Sequence, residues 1–308
     1  MVESDQPIIW IKNPLDVFAE NCEGGVVVQG QKIIELVQMG QTPKATIDET
    51  YDASTSVLLP GLINTHHHFY QTLTRAYPEA LNKELFPWLK SLYKVWANIQ
   101  PEMLSVSTEL ALSELLLSGC TTASDHHYLF PDQLENAIDI QVEEAQKLGM
   151  RVVLTRGSMS LGEKDGGLPP QSVVQTKEQI LSDSERLIKA YHDANEGSMT
   201  QIALAPCSPF SVTTDLMIET AELAEQQNVR LHTHLAETID EENFCLEKFG
   251  LRTVDYLESV GWLSGRTWLA HGIHFNIYHH ATLATHNTWE TEADPSTTTK
   301  KRRKMTSR

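Results

Sequence analysis

The strongest constraint on the fold lies between residues 58 and 276, where short apolar segments alternate with longer segments of helical periodicity. Val57-Leu58-Leu59-Pro60-Gly61-Leu62-Ile63 is the first apolar run, read as a buried strand that ends at Asn64-Thr65. Pro101 opens a helix in which Leu104, Leu112, Leu115 and Leu116 recur near helical spacing, with Gly119 as its stop. Further strands are predicted around 121–124, 152–154, 202–205, 229–235 and 268–270, separated by helices near 134–148, 178–192, 214–227 and 240–259. Apolar strands alternating with amphipathic helices specify parallel β/α units. The pattern supplies about six such units, whereas a closed barrel needs eight. The expected fold is therefore α/β: a (β/α)8 TIM-type barrel, incomplete, preceded by a small β domain.

That small domain is assigned to residues 1–57, a β-sandwich-like region of short strands. In it Val26-Val27-Val28 and Ile33-Ile34 flank Gln29-Gly30-Gln31 as a hairpin. The barrel is assigned to residues 58–276. Residues 277–308 are Thr-rich and then basic (Lys300-Lys301-Arg302-Arg303-Lys304), without apolar periodicity. They are expected to be disordered and foreign to the fold, as in a C-terminally truncated chain.

Composition removes several function classes. A formal net charge of −17 disfavours nucleic acid and anionic membranes. No stretch approaches the ~20 apolar residues of a membrane span. The acidic opening Met1-Val2-Glu3-Ser4-Asp5 does not resemble a secretory signal, so a cytoplasmic location is expected. Cys22, Cys120, Cys207 and Cys245 are scattered, which fits a reducing compartment. Pro206-Cys207 is followed by Ser208-Pro209-Phe210, so the Pro-Cys-x-x-Cys signature of cytidine-type deaminases is absent.

Polar groups concentrate where the predicted strands end: His66 and His68; His126 and His127; Arg156; Cys207 and Ser208; His232, His234 and Glu237; His271 and His274. In a β/α barrel these ends share one mouth. His-x-His on a strand puts both imidazoles on one face, while His67 points away. Two neutral imidazoles so placed chelate a divalent ion, for which Zn²⁺ or Fe²⁺ suits nitrogen ligands. His234 completes a set of three. Glu237, three residues on, is placed for general acid–base work on water; its plainer alternative is a cap on the next helix. His271 reads as a ligand, a donor to the substrate, or a core histidine.

The run from Leu59 through His68 resembles the first-strand motif of the amidohydrolase superfamily. The His234-Leu235-Ala236-Glu237 and Ala270-His271-Gly272 segments resemble its guanine and S-adenosylhomocysteine deaminase-like branch. Within that branch HHHFYQTLTR (66–75), SGCTTASDHHY (118–128), APCSPFSVT (205–213) and HTHLAET (232–238) are similar to the 8-oxoguanine deaminases. Hydroxyatrazine-type triazine aminohydrolases share much of this pattern. The resemblance implies one metal ion, usually Zn²⁺, with Fe²⁺ as the alternative, on His66, His68 and His234. It implies Glu237 as proton shuttle and His271 as an assistant at the hydroxide or the substrate.

The implied reaction is hydrolytic deamination of an amino-substituted purine-like ring, with 8-oxoguanine going to urate and ammonia, or a triazine in its place. The partner is a small-molecule substrate, and homo-oligomeric assembly is left open. Gln71 and Trp88 stand where the branch places substrate contacts, an amide for a purine edge and an indole for its face. Arg156 is assigned to a ring carbonyl. Cys207 stands where related deaminases often carry histidine. The family's fourth ligand, an aspartate after strand eight, finds no match: Asp294 follows no strand and is given no such role. A non-catalytic remnant that still binds metal is therefore the competing expectation.

Overall fold

The computed structural model describes residues 6–290 and divides into two compact units, Met1–Leu62 and Ile63–Arg308. The division falls a few residues beyond the boundary expected at residue 57.

The first unit contains β1 (Ile8–Lys12), β2 (Asp16–Val17), β3 (Gly25–Gln29), β4 (Lys32–Val37), β5 (Glu49–Asp52) and β6 (Val57–Leu58). β3 and β4 form the expected hairpin, with Gln29 opposite Lys32 and Gly30-Gln31 as the turn. Gly30 supplies φ +55°, the positive value that tight hairpin turns require. β1 pairs antiparallel with β3 and parallel with β5, and β2 with β6 makes a separate two-stranded sheet. Trp10, Val27 and Val37 form the buried cluster of this unit. A Cβ at Gly25 would sit 1.8 Å from the Ile11 carbonyl oxygen, so β1 and β3 pair this closely only because glycine stands there.

The second unit is built on an open seven-stranded sheet. Its elements in chain order are β7 (Leu62–Asn64), α1 (Leu85–Trp96), α2 (Pro101–Leu117), β8 (Cys120–His127), α3 (Ala137–Leu148), β9 (Arg151–Ser158), α4 (Lys177–Tyr191), β10 (Thr200–Pro206), α5 (Thr214–Gln227), β11 (Leu231–Leu235), α6 (Ile239–Phe249), α7 (Thr253–Ser259), β12 (Thr267–His271), α8 (Ile277–Thr285) and β13 (Trp289–Glu290). The strands lie in sequence order from β7 to β13 and pair in parallel from β8 onward. This is the architecture of an incomplete β/α barrel, as expected.

Helix ends follow local chemistry. Thr176 and Gln179 make a capping box on α4, and Gly149, Asn228 and Gly250 close α3, α5 and α6 in the left-handed conformation. Residues such as Leu104, Leu112, Leu154, Leu204 and Leu257 are fully buried in one continuous core between sheet and helices. Among the described residues no helix is long and apolar enough to cross a membrane.

Two expectations need correction. The region from 277 is not structureless throughout: residues 277–285 form α8 and a two-residue strand follows. α8 escapes a periodicity test because it is short and buries only His279 and Leu283. Its start is fixed instead by Asn276, which accepts hydrogen bonds from the amides of Tyr278 and His279. The basic run at 300–304 lies outside the described residues. The first apolar run is also not buried: Leu59, Leu62 and Ile63 are 63, 60 and 68% exposed. Among the described residues β7 is an edge strand of this sheet, and Ile63 borders an open cavity of about 750 Å³ with Thr65 and Trp268.

Candidate metal centre

The polar residues at the strand ends converge. His66 and His68 follow β7, and His232 and His234 occupy one face of β11 by period-two alternation. The ring centroids of His66 and His68 are 4.7 Å apart, those of His66 and His234 are 5.0 Å apart, and those of His68 and His234 are 5.1 Å apart.

The hydrogen bonds define which nitrogen carries each proton. His234 Nδ1 lies 2.7 Å from the Cys207 carbonyl and His68 Nδ1 lies 2.7 Å from the His126 carbonyl. A carbonyl only accepts, so both Nδ1 atoms donate and both Nε2 atoms keep lone pairs. His232 Nδ1 donates to the Trp268 carbonyl at 2.9 Å, so its Nε2 accepts from His66 Nδ1 at 2.8 Å. That relay leaves His66 Nε2 with a lone pair as well. Burial holds all of these imidazoles neutral: His68 and His232 are pushed down to about 3, and His66 and His234 fall well below the ordinary histidine value.

The donor set fits a metal. The Nε2 atoms of His68 and His234 face each other at 3.1 Å. Two lone pairs so placed repel unless a cation lies between them. The edge of a tetrahedral zinc–imidazole site, with bonds of about 2.0–2.1 Å, is about 3.3 Å. The carbonyls behind each ring are the outer-shell partners that orient such ligands.

His126 also brings a nitrogen within 4.8 Å of nitrogens on His66 and His234. Its ring, however, is stacked on His234 at 4.4 Å and 19°. Two nearly parallel stacked rings cannot both aim in-plane lone pairs at one ion, so His68 is the better third donor. His126 contributes through its backbone instead. Its carbonyl fixes His68, and its amide donates to the His67 carbonyl at 2.7 Å. Its own Nε2 donates to the Ala205 carbonyl at 3.0 Å.

Glu237 and His271 lie beside the histidines, with Nε2 of His271 3.4 Å from a Glu237 oxygen. In the β11–β12 register His271 pairs with Leu235, and His234 pairs with Ala270. Alternation alone would therefore turn His271 away from His234. A φ of +76° at His271 reverses this, and its ring stacks on His234 at 5.3 Å. Ala236 is likewise left-handed, at φ +53°. Such conformations cost about 1–3 kcal/mol each and concentrate at functional sites. Glu237 is not the cap of α6: Thr238 accepts from the Glu241 amide, and Glu241 reaches back to the turn before it.

The remaining assigned residues fare differently. Cys207 is buried and its thiol is pushed up to about 12 by burial, so it stays protonated. What it offers the site is its carbonyl. Gln71 is half-buried and its amide reaches the Tyr70 hydroxyl at 3.4 Å. Trp88 is half-buried against Trp96, which touches Tyr70, whose ring is 6.3 Å from His68.

Arg156 is a correction. It pairs in register with His127, on the face opposite His126, and so points towards the helices. Its guanidinium is fully buried, bonds Asp183 at 2.7 Å and Gln175 at 2.8 Å, and lies 3.8 Å over Phe130. Asp183→Ala, which strands the buried guanidinium, is expected to lower stability by about 3–5 kcal/mol. Zinc uptake should be unchanged. Urea denaturation and metal analysis of the variant decide this, and lost zinc at unchanged stability would return Arg156 to the site.

The buried ionisable groups also set a pH dependence. Burial pushes His127 down to about 3 and His126 well below its ordinary value, joining the four imidazoles above. Burial pushes Asp125 up to about 7 and Glu241 up to about 8. Where the native imidazole pKa lies below the unfolded one, the unfolded chain binds the extra proton. Stability is then lost as pH falls from about 6.5 towards 3. A carboxyl with a raised native pKa acts the opposite way, losing stability as pH rises from about 4 towards 7 or 8. Six imidazoles outweigh two carboxyls. The metal-free chain should therefore be most stable at about pH 6.5–7 and weaken steeply on the acid side. Urea midpoints measured across the pH range test this; a midpoint that climbs towards pH 4 contradicts it.

Comparison with known proteins extends the picture. The sequence model of the Amidohydrolase family matches residues 57–304. An 8-oxoguanine deaminase of Pseudomonas aeruginosa is 64% identical over 270 residues, which are 87% of this chain and 60% of that protein. A hydroxydechloroatrazine ethylaminohydrolase of Pseudomonas sp. (strain ADP) is 35% identical over 73% of this chain and 47% of that protein. Among solved structures, the zinc complex of an atrazine chlorohydrolase from Arthrobacter aurescens superposes with a TM-score of 0.84 at 28% identity, covering 92% of this chain and 64% of that one. The chain thus spans less than two thirds of the length of each of these relatives.

Proposed function

Because the chain belongs to the amidohydrolase family, we propose that it is a metal-dependent aminohydrolase that removes an amino group from a purine-like ring, with 8-oxoguanine converted to urate and ammonia. The observation that carries this reading is the pair of Nε2 lone pairs of His68 and His234 facing at 3.1 Å beside the Glu237–His271 pair. His66, His68 and His234 would hold a single Zn²⁺. A zinc ion in such a site supplies Lewis acidity and lowers the pKa of water.

The chain's own residues supply the rest. Glu237 takes a proton from the attacking water and returns it to the amino group, so that a C–O bond forms, the C–N bond breaks and ammonia leaves. His271, held within 3.4 Å of that carboxylate, steadies it and offers a donor to the ring. The three ligands stay neutral, as metal binding requires, because they are buried. Gln71 and Trp88 would serve the purine edge and face. The 64% identity to an 8-oxoguanine deaminase favours the oxidised purine. A triazine is the second reading, favoured by structural likeness to the chlorohydrolase.

The test is to supply the purified chain with Zn²⁺ and follow urate and ammonia from 8-oxoguanine, with guanine and hydroxylated triazines in parallel. Turnover of a triazine alone would move the assignment to the second reading. No turnover of any of them would leave a metal-binding remnant.

A further inference from the structure

We infer that Glu241 is a positioning residue for Glu237, acting through the backbone of the turn that joins β11 to α6; this rests on the acid–base role proposed for Glu237. Glu241 is completely buried. One carboxylate oxygen accepts the Ala236 amide at 3.0 Å and the other accepts the Glu237 amide at 2.9 Å. A residue three places into a helix commonly reaches back to the amide of the capping residue. Here that residue is Thr238, which caps α6 with its own hydroxyl, and Glu241 reaches past it.

The turn it grips needs gripping. Ala236 stands at φ +53°, a conformation an L residue rarely adopts. This turn sits between His234, a proposed ligand, and Glu237. The same turn is joined to the segment carrying His271, because Gly272 donates to the Leu235 carbonyl at 3.0 Å and His274 donates to the Ala236 carbonyl at 3.0 Å. A single buried side chain thus ties down the backbone from which Glu237 projects, in a turn that is itself bonded to the segment carrying His271. His234 is held separately, by Cys207, so its metal role does not depend on Glu241.

Above about pH 8, where Glu241 is ionised and both its oxygens accept, glutamine at 241 keeps the size and one acceptor but replaces the other acceptor with a donor. In the zinc-loaded chain, Glu241→Gln is expected to speed hydrogen exchange at the Ala236 and Glu237 amides. It should lower kcat by about 10–100-fold, the usual cost of losing a supporting partner, with KM and zinc stoichiometry unchanged. Because Glu241 acts through Glu237, the double variant Glu237→Gln/Glu241→Gln should turn over no more slowly than Glu237→Gln alone.

Full additivity in that cycle, or a parallel fall in zinc content and thermal stability, assigns Glu241 a merely structural role and overturns the inference. Unchanged exchange at both amides overturns it as well. If the parent chain turns over no substrate, the functional reading fails separately. The inference is then decided by exchange: acceleration confined to residues 236 and 237 sustains the brace, and its absence removes it.

Discussion

In the proposed zinc aminohydrolase, replacing His234 with alanine is expected to abolish both ion retention and measurable deamination. The three proposed donors are not equivalent in support. His66 is held by a relay through His232 to the Trp268 carbonyl, and His68 by the carbonyl of His126. His234 faces His68 directly at 3.1 Å. Deleting His234 leaves two nitrogens and removes the closest facing pair. Loss of an outer-shell partner alone costs about 10–100-fold in metal affinity, and loss of a direct ligand must cost more. Zinc remaining after exhaustive dialysis should fall from about one equivalent to background.

His67→Ala is the matched comparison. Its Nδ1 has no hydrogen-bond partner, and the part of His67 that serves the site is its carbonyl, which alanine retains. That variant should keep its zinc. If His234→Ala also retains a stoichiometric ion, the donor set is misassigned, and His126 becomes the first nitrogen to test in its place.

Much of this site was legible because its signals are local. His66, His68 and His234 announce themselves by spacing at the ends of apolar segments, but β7 ends at Asn64, so His66 and His68 meet on the segment beyond the strand and not through strand alternation. α5 shows the same for the fold: its apolar spacing placed it at 214–227, and the helix is Thr214–Gln227. What was not legible depends on parity and on backbone torsion. Arg156 stands at a strand end like the others, but one residue of register separates the site face from the helix face. His271 has the wrong parity and reaches the site only through a positive φ. Glu241 carries no motif that distinguishes a brace from an ordinary helix cap. The exposure of Leu62 and Ile63 goes with the edge position of β7 among the described strands, and an apolar run does not encode its neighbours.

Glu237→Gln is expected to lower kcat by about 10²–10⁴-fold, the range for loss of a positioned general acid–base group, while zinc content and KM hold. That corresponds to about 3–5 kcal/mol of transition-state stabilisation. The amide is the same size and can still meet His271, so the surroundings of position 237 should survive. What it cannot do is accept a proton from water and pass it on. The effect must therefore fall on the chemical step, and single-turnover measurements should show it in full.

The pH profile gives an independent reading. A proton shuttle at this position would give kcat in the parent chain an acid limb, and that limb should disappear in the variant. A fall in kcat that leaves the acid limb in place would move the proton shuttle to another group, and His271 is the one in contact. A fall in zinc content instead would make Glu237 part of the support for the ligands, and the acid–base role would have no residue to carry it.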